Sequence, residues 1–153
     1  MFTADEKKDL TIRFWKELKE KLDSTGKLEG RNIDWMNYPN KINHLYFRME
    51  ANTYSCKFCI DIQFLNAGVR EVYFQQFEEF KTKLDQIMPQ PFSWLSSYEH
   101  PNSKTIARLF VEHEKSSIYN EQDWPKSHQF LIDSFMAFDT FWREFGDMFR
   151  NLK

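Results

Sequence analysis

Apolar residues near the start of the chain follow the spacing of a helix. They recur every four positions, at Leu10, Phe14, Leu18 and Leu22. This spacing places them on one face of an α-helix, which would bury that face. Thr3-Ala4-Asp5-Glu6 has the form of a capping box, which predicts that the helix begins after Thr3. Gly26 predicts its end, because glycine is common just past a helix C-terminus.

Apolar and polar residues then alternate with a period of two. The alternation covers residues 44–50 and 55–64, and the segment 51–53 between them predicts a hairpin. Residues 92–99 and 105–114 predict a second pair of strands, joined by the turn-forming residues 100–103. Antiparallel pairs of this kind usually bury one face and leave the other in water.

Two further helices follow from spacing and from proline. Residues 67–88 carry a helical stripe that ends before Pro89. The last helix is predicted to begin near Asp123-Trp124-Pro125, because Asp can cap a helix and Pro is tolerated in its first turn. Residues 27–41 are rich in turn formers but contain Trp35 and Tyr38, so we expect this loop to fold back and bury its rings.

The element order is therefore α-ββ-α-ββ-α. It predicts an α+β fold in which a four-stranded, mainly antiparallel sheet packs with three helices. At 153 residues the chain fits a single domain spanning 1–153, large enough for a core without disulfides.

Composition narrows the choice of partners and compartment. The formal net charge is −2 and the pI is about 6.1, so no overall field attracts a polyanion, and nucleic acid is not the favoured partner. No apolar run suits a signal peptide or a membrane span, and two cysteines fit a reducing compartment. We expect a cytoplasmic protein.

Catalytic and metal-binding patterns are not recognisable. Cys56 and Cys59 have the spacing of a metal knuckle, but residues three apart on a strand point to opposite faces. The four histidines are scattered, and the glycines form no phosphate-binding loop. Metal-dependent nucleases often place an Asp and a Glu-x-Lys on adjacent strands, whereas both Glu-x-Lys strings here lie on predicted helices. We expect no cofactor, no metal and no enzymatic activity.

The outward face of the sheet holds the best binding candidates, which are Tyr46, Arg48, Asp61 and Arg108. Neighbouring positions on that face add mixed charge and one more ring, at Glu50, Lys57, Phe110 and Glu112. Such a surface could stack bases or anchor a partner. The simpler interpretation is a set of cross-strand ion pairs on a solvated face.

Four short strings together suggest a family. They are Phe14-Trp15, Leu45-Tyr46-Phe47-Arg48-Met49, Lys104-Thr105-Ile106-Ala107-Arg108 and Asp123-Trp124-Pro125. Over roughly residues 10–145 the chain resembles the bacterial domain-of-unknown-function family 4268. Members of that family are small separate proteins or the C-terminal part of chains whose front half resembles a restriction-type nuclease. The resemblance implies an association with DNA-directed or defence proteins. It carries over the pattern positions Trp15, Arg108, Asp123, Trp124 and Pro125, whose expected roles are packing and capping.

Three functions follow from these observations. The leading hypothesis is an interaction domain that binds a protein partner or a second copy of itself. A nucleic-acid-binding module would instead use Arg48 and Arg108 on the sheet face. A diverged metal-dependent nuclease or hydrolase would centre on Asp61 and Glu50.

Overall fold

A computed structural model describes residues 1–102 and 104–152 of the chain. The helices are α1 (Ala4–Leu28), α2 (Ala67–Glu79), α3 (Lys81–Ile87), α4 (Trp124–Phe145) and α5 (Asp147–Arg150). The strands are β1 (Leu45–Ala51), β2 (Ser55–Ile62), β3 (Ser93–Glu99) and β4 (Thr105–Glu114), and short 3-10 turns occupy Trp35–Asn37 and Glu121–Asp123. The predicted α+β order is confirmed. Ser103, in the predicted turn between the last two strands, lies outside the described residues.

The four strands form one antiparallel sheet with the order β1-β2-β4-β3. β1 pairs with β2 over all seven of its residues without a break. β3 is the opposite edge, and its register with β4 shifts between Leu95 and Tyr98. One edge strand is therefore regular and the other is bulged.

Helix α4 covers one face of the sheet with aromatic rings. Phe135 and Phe138 of α4 contact Phe58 of β2 at ring-centroid distances of 4.8 and 5.7 Å, and Phe138 contacts Phe47 of β1 at 4.8 Å. Offset and edge-on ring pairs of this kind add to the stabilisation from area burial. The predicted packing of helices with the sheet is therefore seen on this face.

Helix α1 packs on α4 and is longer than its glycine suggested. Both bonds of the capping box are present, because Glu6 N–H donates to Thr3 Oγ1 at 3.1 Å and Thr3 N–H donates to Glu6 Oε1 at 2.9 Å. The predicted end at Gly26 is wrong, since the helix continues to Leu28. A Cβ atom at Gly26 would lie 2.9 Å from Nε1 of Trp35, so the glycine gives this indole room to pack.

The helix predicted over residues 67–88 is two helices. The chain leaves helical geometry at Phe80, whose N–H donates to the Phe77 carbonyl oxygen at 3.0 Å. The Phe80 ring lies 5.4 Å from Phe141 and 4.9 Å from Phe145 of α4. Packing against α4 therefore coincides with the break, which the helical spacing of the sequence did not reveal.

Helix α4 begins at the predicted motif, Asp123-Trp124-Pro125, but Asp123 does not have the predicted role. Trp124 is the first helical residue and Pro125 lies in the first turn, as expected. The Asp123 carboxylate does not cap the helix; it accepts a hydrogen bond from the Ser117 N–H at 2.9 Å. Trp124 is buried, and its Nε1–H donates to the Ile118 carbonyl oxygen at 2.8 Å. The motif therefore fastens the 114–123 connection to the helix start.

Candidate functional site

The strand register brings three of the predicted sheet-face residues into line. Tyr46 of β1 lies opposite Asp61 of β2, which in turn lies opposite Arg108 of β4. Arg108 donates to Asp61 from Nε at 2.7 Å and from Nη2 at 2.9 Å. Asp61 and Arg108 therefore meet in an ion pair, a contact that the sequence alone does not show.

These two residues are not surface residues. The side chain of Asp61 is fully buried and that of Arg108 is 2% exposed, whereas we expected both on a solvated face. The Arg108 guanidinium lies 4.9 Å from the centre of the Tyr98 ring, which packs over it from β3. The expected exposure of Arg108 is therefore wrong, and its burial counts against a role for this residue as a nucleic-acid contact.

Glu50, which is partly exposed, completes the ionic cluster around the buried pair. Its carboxylate accepts from Nη1 of Arg108 at 3.0 Å and from Nη2 at 2.9 Å. Burial raises the pKa of Glu50, but its bonds to Arg108 outweigh burial, and the net pKa lies below its ordinary value. The guanidinium thus occupies the space between the two carboxylates in which the hydrolase hypothesis would place a cation. Nowhere in 1–102 or 104–152 do three or more His, Cys, Asp or Glu side chains cluster in a way that suits a metal ion.

Arg48 and Tyr46 occupy a different position from this cluster. The Arg48 guanidinium lies 4.4 Å from the centre of the Tyr46 ring, within the range of a cation–π contact. Both side chains are exposed, and Arg48 forms no ion pair with any of the described residues. The four predicted sheet-face residues therefore divide into a buried pair and an exposed pair.

The exposed pair borders a cleft along the free edge of β1. The cleft has a volume of about 380 Å³. It is lined by Trp15, Trp35, Met36, Asn37, Tyr38, Tyr46, Phe47, Arg48 and Met49. Four of these residues are consecutive in β1, so the cleft follows the strand edge, and the loop after α1 forms its opposite wall. Below we call this feature the edge cleft.

The loop wall of the edge cleft is fixed by a buried carboxylate. Asp139 of α4 is fully buried and accepts a hydrogen bond from the Tyr38 hydroxyl at 2.5 Å. It also accepts two bonds from Arg31, at 2.8 and 3.1 Å. Burial, together with the charge of Asp139, raises the pKa of Tyr38, so its phenol stays protonated and donates. The wall is therefore preorganised, which lowers the entropy cost of binding.

Part of this cleft was visible in the sequence and part was not. Trp15, Tyr46 and Arg48 were singled out, and Trp35 and Tyr38 were expected to pack. Met36 and Met49 were missed because nothing in a single sequence shows which strand is an edge. The turn-rich composition around a Trp and a Tyr was the one signal that the loop returns to the sheet.

The cysteines do not form a binding site. Cys56 lies on the α4 side of β2, where its Sγ is 3.8 Å from the Ser127 carbonyl oxygen, and Cys59 lies on the other face. Both are fully buried. Burial raises the pKa of the Cys56 thiol to about 11 and raises that of Cys59 as well.

The chain is thus an α+β protein with helices on one face of an antiparallel sheet and an aromatic cleft at one edge of that sheet. Residues 10–146 match the family model described as a domain of unknown function, DUF4268. The chain belongs to this family, which confirms the resemblance seen in the sequence. Searches of curated proteins and of solved structures gave no significant match. No helix in 1–102 or 104–152 is both long and apolar enough to cross a membrane.

Proposed function

We propose that this chain is a cytoplasmic bacterial protein that acts as one interaction domain, binding a protein partner through the edge cleft. The observation that carries the proposal is the cleft itself, which combines aromatic walls with an exposed arginine, Arg48, at a free strand edge. Aromatic residues, Met and Arg are the types enriched in protein interfaces. The family resemblance suggests that the partner belongs to a DNA-processing or defence system.

The physical support comes from exposure and rigidity together. Met36 is 39% exposed and Tyr46 is 36% exposed, so apolar surface remains available in the cleft. Trp35 beneath them is 1% exposed and is packed 5.2 Å from Phe135 of α4. A partner side chain inserted between them would lose water contact on a wall that does not have to reorganise.

The test is affinity capture of the tagged protein from lysate of its native bacterium, with and without nuclease treatment. Wild type is compared with Met36→Glu, which places a charge in the cleft. The matched control is Val69→Glu, an apolar residue of 39% exposure on α2, away from the cleft. We expect a stoichiometric protein partner that survives nuclease, is lost with Met36→Glu and is retained with Val69→Glu. A partner that depends on nuclease-sensitive material, or that binds Met36→Glu equally well, would contradict the proposal.

A further inference from the structure

The backbone of β1 has unused hydrogen-bonding groups along the edge cleft. The His44 carbonyl oxygen accepts from Gln63 N–H at 2.7 Å, and Asn52 N–H donates to Ser55 at 3.0 Å, so even-numbered residues bond toward β2. In an antiparallel pair the bonding direction alternates along the strand. The N–H and C=O groups of Phe47 and Met49 therefore point away from the sheet.

Hydrogen bonds from the chain's own loop confirm this direction at one end of the strand. Leu45, the odd-numbered residue before Phe47, accepts from Asn40 Nδ2 at 2.8 Å and donates to the Ile42 carbonyl oxygen at 3.4 Å. These partners lie outside the sheet. Among the described residues, no backbone partner from outside the sheet reaches Phe47 or Met49. The loop thus covers the first outward position of β1 and leaves the next two uncovered.

The two edges of the sheet differ in their protection. β3 is interrupted by the register shift between Leu95 and Tyr98, and such bulges hinder pairing with another strand. β1 is regular and carries no proline. A regular, uncovered edge strand bordered by an aromatic cleft is the arrangement that accepts an added strand.

We propose that the partner inserts an extended peptide segment into the edge cleft, where it pairs with β1 as a fifth strand. This inference rests on the proposed function and specifies its mode. The segment exchanges backbone hydrogen bonds with Phe47 and Met49. Its alternate side chains are of two kinds: apolar or aromatic residues against Trp15 and Met36, and an acidic residue against Arg48, which forms no ion pair within 1–102 and 104–152.

The probe is a peptide selected from a phage-displayed library of random linear peptides against the immobilised protein. We expect the selected sequences to alternate apolar with acidic or polar residues. Two synthetic forms of the selected peptide are then compared by calorimetry, each N-methylated at alternate residues in one of the two possible phases. One phase removes the donors that face β1 and should weaken binding about tenfold or more, while the other removes solvent-facing donors and should bind nearly as well.

The matching protein variants act on the same bonds. Met49→Pro removes an outward N–H that β2 does not use, and proline is tolerated at such edge positions. Met49→Val keeps the N–H and changes only the side chain, so it serves as the control. We expect the peptide to bind Met49→Pro about tenfold more weakly than Met49→Val, and Arg48→Glu to lose preference for acidic peptides. If Met49→Pro does not fold, the comparison of the two N-methylated peptides still tests whether the peptide pairs with β1.

Amide hydrogen exchange gives the decisive readout. The amides of Phe47 and Met49 should exchange quickly in the free protein and slow on peptide binding, whereas Arg48 should be protected in both states. Peptide binding that perturbs Trp15 and Met36 but leaves these two amides unprotected would overturn strand addition and leave the interaction domain standing. Failure of both the lysate capture and the peptide selection would overturn both proposals. Dimerisation through β1 would also overturn strand addition by a partner, because a second copy of the chain would then occupy the edge cleft.

Discussion

Replacing Arg108 by methionine tests the interpretation of the buried ionic cluster as structural. The substitution preserves much of the side-chain volume but removes all four hydrogen bonds to Asp61 and Glu50. Glu50 is 39% exposed and can turn toward water, whereas Asp61 is fully buried and cannot. Leaving one member of a buried ion pair without its partner costs about 3–5 kcal/mol. We therefore expect the free energy of unfolding to fall by about that amount.

Two companion variants separate the lost charge from lost packing. Arg108→Lys keeps the positive charge but not the planar fork, and losing one charge-assisted bond costs about 1.5–3 kcal/mol. The double variant Arg108→Met with Asp61→Leu leaves no charge buried at this point. It should therefore recover most of the stability that Arg108→Met loses, since apolar replacements of buried ion pairs are often neutral.

The assay is equilibrium urea unfolding at neutral pH, followed by circular dichroism and extrapolated to water. The slope with denaturant should stay the same among the variants, so that changes in midpoint report stability. A loss below about 1 kcal/mol for Arg108→Met would refute the reasoning, because that is the range of an exposed ion pair. So would a double variant no more stable than Arg108→Met.

Three other predictions concern the core. Burial lowers the pKa of His128 from 6.5 to about 4, so the neutral ring stabilises the fold above pH 6.5. The free energy of unfolding should therefore fall by up to about 3 kcal/mol as the pH drops from 6.5 to 4. The variant His128→Gln should flatten this pH dependence in urea titrations. Gly26→Ala should destabilise by about 1–3 kcal/mol in thermal unfolding, because its Cβ meets the Trp35 ring; a gain of about 1 kcal/mol, expected from helix propensity alone, would contradict this. Cys56 and Cys59 should resist thiol reagents in the native protein and react after unfolding, and fast native labelling would disprove their burial.

The sequence predicted the elements well because their signals are local. Alternation placed Asp61 and Arg108 on the same sheet face, and the capping box located the start of α1. Alternation could not show that this face is partly closed to water, because the closure comes from Tyr98 of a different strand. A polar residue on the face away from the helices was therefore read as exposed, whereas its partners bury it.

Strand order could not be read from the sequence for a similar reason. Two consecutive hairpins can join through either edge strand of each hairpin. Which edge strands pair depends on packing between distant segments of the chain. Here β2 pairs with β4, which leaves β1 free beside the loop that contains Met36. The edge cleft depends on that choice. Two residues on its strand side, Tyr46 and Arg48, could be nominated in advance. The folding back of the loop was also expected, but its position beside β1 was not.

The packing of α1 on α4 joins two segments that lie far apart in the chain. The Phe14 carbonyl oxygen lies 3.1 Å from Nε2 of His128, and its ring lies 5.7 Å from that of Trp124. Helix α1 therefore cannot cover its apolar stripe before α4, which follows it in the chain, has been made. A nascent chain that contains α1 without α4 exposes Leu10, Phe14, Leu18 and Leu22 to water, and exposed apolar surface of this kind favours aggregation.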